Sequence, residues 1–369
     1  MQILRETNLE ALNLVKKMKP SQVLKILETK TLTGRGGGEF PTAKKIKTIL
    51  NKKTKNKYVV CNADEGEPGT FKDKFILKNN PRTLIEGILI VSYLIKAKSA
   101  FIYLRKEYDY LRKDLEKQIQ DILKKSESDI NITIITGAGS YICGEETAIL
   151  KSIMGYRPNP SYKPPYPSEK GLWDCPTIVN NVETLTCIPQ AILYGDWDPE
   201  IRLFSISGEV KHPGLYEFQK AVKLNTILDI VKPELKLKAI CFGSSGGILK
   251  IKDNLKLDEK TIKEKKCNIG TYGIIFISNK TKILDINLSL AKFYTFESCG
   301  KCTPCREGTL RLLNLLKKIR NRKATQGEIK EIKELSEHIQ KTSLCGLGQS
   351  CTNHILTALE NFKEEYYND

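Results

Sequence analysis

Lys57-Tyr58-Val59-Val60-Cys61 runs directly into Asn62-Ala63-Asp64-Glu65-Gly66-Glu67-Pro68-Gly69-Thr70. A short apolar, β-branched run punctuated by turn residues reads as a buried strand. Ligands of open α/β sheets bind beyond the carboxyl ends of such strands, so this acidic turn stands where chemistry is done. Its carboxylates suit general acid–base work or the acceptance of hydrogen bonds from sugar-type hydroxyls; a solvated acidic turn is the plain alternative. Downstream, Asn80-Pro81 opens an apolar helix (Asn as cap, Pro in the first turn), followed by a strand at Ser99–Leu104. A charged amphipathic helix over 107–125 and a strand from Ile130 to Thr136 come next. Alternating strands and helices predict an α/β fold with a parallel sheet.

Before this unit, residues 1–33 read as polar helices, with Leu9, Leu12, Val15, Met18, Val23, Leu24 and Leu27 facing inward. Gly34-Arg35-Gly36-Gly37-Gly38-Glu39-Phe40-Pro41-Thr42 then leads into a basic helix with Lys44, Lys45 and Lys47. Glycines let backbone N–H groups approach an anion, and Arg35 offers a planar fork, so an anion cradle is favoured over a flexible linker. After the third strand, Gly137-Ala138-Gly139-Ser140-Tyr141-Ile142-Cys143-Gly144-Glu145-Glu146-Thr147 lacks the spacing of a dinucleotide fingerprint. Two glutamates at the helix start would repel phosphate, which assigns this segment to the hydroxyl or ring end of a ligand. A Pro/Tyr loop (Gly155 to Trp173) and the pair Asn180-Asn181 suit a heteroaromatic ring, with loop packing and a helix N-cap as the alternatives.

From residue 199 short strands with one helix near 224–232 suggest a small α+β domain, and from 287 the chain reads as a helical bundle. There Cys299, Cys302 and Cys305 recur every third residue in Glu297-Ser298-Cys299-Gly300-Lys301-Cys302-Thr303-Pro304-Cys305, and Cys345 follows. Three such thiols hold most corners of an iron–sulfur cube; a zinc site and a redox dithiol are the other readings. Eleven cysteines without an apolar leader argue for thiols and metal ligands rather than disulfides. The formal charge of +17 is scattered, with no basic stripe interleaved with aromatics, so nucleic acid is not expected as a partner. No stretch is long and apolar enough to span a bilayer.

Taken together, these motifs resemble the NADH-binding flavoprotein (F) subunit of respiratory complex I, a family shared with NAD(P)-linked hydrogenases and formate dehydrogenases. The match runs in order through Gly34–Thr42, Asn62–Gly69, Tyr141–Thr147, Lys163-Pro164-Pro165-Tyr166-Pro167, Asn180–Thr184 and Glu297–Thr309. It implies a Rossmann-like FMN/NAD-binding domain (1–198), a β-grasp domain (199–286) and a four-helix bundle (287–369) with one [4Fe-4S] cluster. By resemblance, Gly34, Arg35, Gly36, Gly37 and Lys45 lie around the flavin phosphate and nucleotide. Asn62, Asp64, Glu65, Gly144, Glu145, Asn180, Asn181 and Thr184 hold the ribityl chain and ring; Phe40, Glu67, Tyr141, Glu146 and Tyr166 contact NAD(H). Cys299, Cys302, Cys305 and Cys345 are the implied cluster ligands, and no side chain is expected to act as nucleophile.

The function so implied is hydride transfer from NADH to FMN, then single-electron transfer to the cluster and onward within a quinone-reducing complex. Implied partners are a small thioredoxin-like [2Fe-2S] protein and a downstream iron–sulfur protein of the same complex. The expected location is cytoplasmic, peripheral on the inner face of the cell membrane, with membrane contact only through the complex. A diaphorase subunit of a soluble hydrogenase or formate dehydrogenase is the alternative, and a zinc-stabilised basic binding module the alternative of another class. Glu39 departs from the family's usual glycine and puts the NAD/NADP preference in question.

Overall fold

The computed structural model describes residues 2–252 and 255–367. The chain forms two compact units, Met1–Gly66 with Phe71–Leu203, and Glu67–Thr70 with Phe204–Asp369.

The first unit begins with α1 (Glu10–Lys16), α2 (Pro20–Thr29) and α3 (Thr42–Leu50). Then come β1 (Tyr58–Ala63), α4 (Lys72–Asn79), α5 (Pro81–Ile95), β2 (Ser99–Leu104), α6 (Arg112–Ser126) and β3 (Asn131–Thr136). It closes with α7 (Glu146–Ile153), β4 (Thr177–Asn181) and α8 (Val182–Leu193). The four strands form a parallel sheet in the order β3-β2-β1-β4. Asn62 stands opposite Asn181, and Ala63 opposite Leu104, which faces Thr136, so all four strands end on one edge. The register therefore delivers the acidic turn, the Gly137 turn and the asparagine pair to the same carboxyl edge.

The core helix α5 buries Leu84, Ile85, Ile88, Leu89, Ile90, Val91, Leu94 and Ile95. Each such burial stabilises by roughly 1.5–3 kcal/mol relative to exposure. Gly87 makes the crossing with α8 possible, because a Cβ there would lie 2.0 Å from the Leu185 carbonyl oxygen. Glu86 interrupts this apolar run for a structural reason: its buried carboxylate accepts the N–H groups of Leu9 (3.1 Å) and Leu12 (2.9 Å) and holds α1. Two local expectations change. Asn80 makes no side-chain cap to α5, and the helix expected over 107–125 begins as a 3-10 turn before α6 starts at Arg112.

β5 (Ile201–Gly208) enters the second unit at Phe204, and β6 (Gly214–Gln219), α9 (Leu224–Val231), β7 (Leu237–Phe242) and β8 (Ile248–Lys250) follow. α10 (Glu259–Glu264) and β9 (Gly273–Ser278) complete a five-stranded sheet of order β6-β5-β9-β7-β8. β5 pairs parallel to β9, whereas β7 is antiparallel to both β8 and β9. Phe204, Ile227, Ile240, Phe242, Ile274 and Phe276 centre its core. The helices that follow are α11 (Ile283–Glu297), α12 (Thr303–Arg320), α13 (Gln326–Thr342), α14 (Gly346–Ser350) and α15 (Asn353–Asn361). α11 packs on α12, α12 on α13, α13 on α15 and α15 back on α11, the closed cycle of a four-helix bundle, with the short α14 inserted before the last member. The first of these helices starts at Ile283, earlier than the sequence pattern suggests. Thr325 and Glu328 form the expected capping box of α13.

Candidate functional site

At the carboxyl edge of the parallel sheet the predicted residues meet one another. Asn62 Nδ2 donates to the Gly144 carbonyl (2.8 Å), and its Oδ1 accepts the Asp64 N–H (3.1 Å). A Cβ on Gly144 would lie 3.4 Å from the Asp64 carbonyl oxygen, and one on Gly66 would lie 2.8 Å from the Tyr141 ring. The acidic turn and the Gly144 turn thus touch backbone to backbone, with Tyr141 lying over Gly66. Gly36 approaches from the glycine loop, its Cβ position 3.3 Å from Asn181 Cβ. That loop is closed by the Gly34 N–H donating to the Phe40 carbonyl (2.9 Å), and Gly37 adopts φ +97°, which favours glycine.

Charges of both signs are paired across this edge. Glu145 caps α7, accepting the N–H groups of Thr147 and Ala148 (both 2.9 Å). Glu146 pairs with Lys45 (3.4 Å) and Lys163 (2.6 Å), and Lys163 also reaches Glu145 (3.1 Å). Burial works to raise the Glu146 pKa, but Lys45 and Lys163 outweigh it and hold the carboxyl below its ordinary value. The glutamate pair is therefore matched by two lysines, one of which (Lys163) the sequence placed in a motif without a role.

Arg35 has internal partners that its motif does not announce. Its guanidinium is buried and donates to the carbonyls of Ile201 (2.8 Å) and Pro199 (3.2 Å), while its backbone N–H donates to Thr184 Oγ1 (2.8 Å). Two nitrogens of the fork fasten the glycine loop to the chain after α8, while its buried Nε has no hydrogen-bond partner among the described residues. Glu39, which stands where the family usually has glycine, lies 3.3 Å from the buried Arg202 guanidinium, so its charge has an internal partner. Phe40 and Tyr166 are about half exposed, and Lys44 Nζ lies 5.8 Å from the Phe40 ring centre.

Behind the edge sits a buried charge cluster that the motifs did not reveal. Lys72 is 1% exposed and contacts Asp73 (2.6 Å), Glu183 (3.1 Å) and Asn181 Oδ1 (3.3 Å). Asn181 Nδ2 donates to Asp73 (2.6 Å), and its Oδ1 also caps α8 at the Glu183 N–H (3.0 Å). Glu65 accepts the N–H groups of Asp73 (2.8 Å) and Lys74 (3.0 Å) and the Tyr108 hydroxyl (3.1 Å). Burial lowers the pKa of an ammonium, yet Asp73, Glu183 and Glu65 together hold Lys72 above its ordinary value. Burial, then Asp73, pushes Glu65 up to about 7, and burial also raises Glu183 against the pull of Lys72 and Arg35. The available signal was Lys72-Asp73 directly after an acidic turn, at the first turn of a helix. By contrast, the buried Asn180 Nδ2 has no hydrogen-bond partner among the described residues, a donor that a bound ring or polyol would satisfy.

Glu67 belongs to the second unit. Its Oε1 accepts from the backbone N–H groups of Ser244 (2.7 Å) and Ser245 (2.9 Å) and from both hydroxyls (3.0 Å each). Ser244 Oγ is in turn 2.7 Å from the Tyr294 hydroxyl.

The candidate metal centre lies at the start of α12. Cys299 and Cys302 are half-buried in the turn from α11, Cys305 is buried, and Cys345 opens α14. A Cβ on Gly348 would lie 3.3 Å from Cys305 Cβ, so the Cys345 loop packs directly on the three-cysteine turn. Burial first, then Cys302, Cys345 and Cys299, pushes the Cys305 thiol up to about 11, with the Ser298 hydroxyl opposing. The charges of Cys302, Cys345 and Cys299 all reach Cys305, so these four residues share one neighbourhood, and a cluster that held them as thiolates would supply the compensating positive charge. Among the described residues no three His, Cys, Asp or Glu side chains close around a single ion. Cys351, overlooked in the sequence, is a fifth thiol of this region; it is buried, and its Sγ donates to the Gly348 carbonyl (3.3 Å).

Comparison with known proteins agrees with both regions. Residues 27–190 match the model of the Nuo51 FMN-binding domain, and residues 285–369 that of the NADH-ubiquinone oxidoreductase-F iron-sulfur binding region. The F subunit of NADH-quinone oxidoreductase in Aquifex aeolicus is 39% identical over 98% of this chain and 89% of its own length. The HndC subunit of the NADP-reducing hydrogenase in Solidesulfovibrio fructosivorans is 37% identical over 97% of this chain and 78% of its own. The crystal structure of an NAD+-reducing [NiFe]-hydrogenase in the H2-reduced state superposes with a TM-score of 0.87 at 32% identity, over 94% of this chain. This chain spans 62% of that hydrogenase chain. The chain belongs to the family of NADH-quinone oxidoreductase F subunits, flavoproteins that carry electrons from NADH through FMN to a [4Fe-4S] cluster.

Proposed function

We propose that this chain serves as the electron-entry subunit of an NADH-quinone oxidoreductase complex, with the flavin at the carboxyl edge of the parallel sheet. The observation that supports this placement is the meeting of Gly36, Asn62, Asp64, Gly66, Tyr141, Gly144 and Asn181 at that edge, beside an unsatisfied Asn180 amide. When bound, FMN takes two electrons from NADH as hydride and releases them singly, which is the form a cluster accepts. The chain's own work is orientation and electrostatics. Backbone groups of Gly34, Gly36 and Gly37 line the glycine loop, with Arg35 and Thr184 bracing it from behind and Lys45 beside it. Asn62, Asp64, Asn180 and Gly144 address hydroxyls and ring, while Glu65, Asn181 and Glu145 fix the backbone that carries them. Phe40, Tyr141, Glu146 and Tyr166 face the nicotinamide nucleotide. Cys299, Cys302, Cys305 and Cys345 hold the cluster.

The modules of this reading are 1–198 for FMN and NADH, 199–286 as a β-grasp domain, and 287–369 as the cluster bundle. No helix among the described residues is long and apolar enough to cross a membrane. Contact with the membrane would then come through the rest of the complex, by way of a thioredoxin-like [2Fe-2S] protein and a downstream iron–sulfur protein. A second reading, the diaphorase component of a soluble hydrogenase, is favoured by the likeness to HndC and to the NAD+-reducing hydrogenase. The test is anaerobic reconstitution of the chain with its co-purifying partners, assayed for flavin, iron and NADH-dependent dye reduction. Quinone-dependent oxidation of NADH supports the first reading, hydrogen-dependent reduction of NAD the second, and the absence of both flavin and iron overturns both.

A further inference from the structure

Ser298 follows the last residue of α11 and stands immediately before the first cysteine. Its Oγ is 3.3 Å from the Sγ of Cys305 and 3.4 Å from the backbone nitrogen of Gly300, whose N–H it accepts. The turn that brings that N–H back is held twice. Gly300 adopts φ +77°, a region that favours glycine, and the Arg306 guanidinium clamps its carbonyl (2.7 Å).

Between a hydroxyl and a thiol, either group can be the donor. A ligating cysteine, however, is a thiolate and has no hydrogen to give. The Gly300 N–H already occupies one lone pair of the serine oxygen, and its single hydrogen is left for the sulfur. We propose that Ser298 tunes the cluster by donating this O–H···S bond to Cys305, raising the reduction potential and so the ease with which the cluster accepts an electron. This rests on the assignment of Cys305 as a cluster ligand.

The direction follows from charge. Adding an electron makes the ligating sulfurs more negative and strengthens a hydrogen bond that ends on them, so the bond favours the reduced state. Hydrogen bonds to cluster sulfurs are among the determinants of such potentials, together with burial and net charge. Cys305 is the buried member of the turn, whereas Cys299, Cys302 and Cys345 are half-exposed, so a donor here acts where solvent screens least. Ser298 touches a ligand rather than the reacting atoms, and it is a positioning and tuning residue.

The experiment uses the full chain reconstituted anaerobically, with the cluster's midpoint followed by EPR-monitored titration and iron counted in parallel. Ser298→Ala should load iron normally and reduce the equilibrium constant for reduction about tenfold, a fall of about 59 mV for one electron. Ser298→Thr, which keeps the hydroxyl, should recover most of that shift. A loaded Ser298→Ala protein with an unchanged potential overturns the proposal. So does a Ser298→Ala protein that takes up no iron while Ser298→Thr does, because the hydroxyl would then serve assembly instead of potential. Cys305→Ala separates the underlying assignment: if that variant keeps a full cluster of unaltered spectrum, Cys305 is not a ligand and the site reading itself fails.

Discussion

Lys72→Met tests whether the buried charge cluster holds the candidate flavin edge together. Wild-type Lys72 is the cation that two buried carboxylates contact, Asp73 at 2.6 Å and Glu183 at 3.1 Å, with Glu65 adding a third negative charge close by. Removing one partner of a buried ion pair typically costs about 3–5 kcal/mol, because the other charge stays behind without water. The cost should depend on pH. Glu65 already sits near 7, against an ordinary value of 4.5, so the folded protein binds a proton there that the unfolded chain has lost. Stability associated with that proton is complete below about pH 4.5 and is lost as pH rises towards about 7. At about 1.36 kcal/mol per pH unit the effect is on the order of 3 kcal/mol. Without Lys72 the carboxyls move further up, so protonation relieves the variant at low pH and fails to do so at high pH. The native lysine, with its pKa raised, contributes its own stabilisation throughout this range and loses it only above about 10.5. Urea unfolding of flavin-free protein should thus show a loss of about 3–5 kcal/mol at pH 8 and roughly half of that at pH 5.5. Both tryptophans, Trp173 and Trp197, lie in the first unit, so intrinsic fluorescence reports on the unit that contains Lys72. A loss below about 1 kcal/mol, or one equal at both pH values, would refute the reasoning.

Three further outcomes are expected. Cys345→Ser should lower bound iron from about four atoms per chain to a small residual amount while leaving flavin content unchanged, as measured by iron and flavin analysis. Gly348→Ala would set a Cβ 2.4 Å from Ser343 Oγ and 3.3 Å from Cys305 Cβ, so it should move the Cys345 loop and cut cluster yield severalfold in the same iron assay, with overpacking costing about 1–3 kcal/mol. Asn180→Ala should weaken FMN binding at least tenfold in a fluorescence titration and leave the unfolding midpoint near wild type, while Asn181→Ala, which loses contacts to Asp73, Lys72 and the α8 cap, should lower the midpoint by the equivalent of about 1–3 kcal/mol.

The parts that were legible in the sequence are those whose physics is local. Apolar runs closed by turn residues gave β1 to β3, the capping box gave α13, and cysteine spacing pointed to the candidate metal centre. The edge motifs also came together as expected, since parallel strands in register must end side by side. What stayed hidden depends on partners far along the chain. A lysine in a polar stretch reads as solvated, and only pairing with Glu183 makes Lys72 a buried cation. Arg35 reads as a ligand's fork, yet the carbonyls of Pro199 and Ile201 engage two of its three nitrogens. Asn180 and Asn181 are neighbours of identical chemistry, yet one has its amide spent on Asp73 and the other keeps Nδ2 unpartnered among the described residues. A motif thus specifies which residue types gather at the edge, whereas long-range partners decide which of their polar atoms remain for a ligand. Arg35, Glu65, Glu145 and Asn181 show this division: each belongs to an edge motif, and each makes side-chain hydrogen bonds to neighbouring parts of the chain that no local pattern announces.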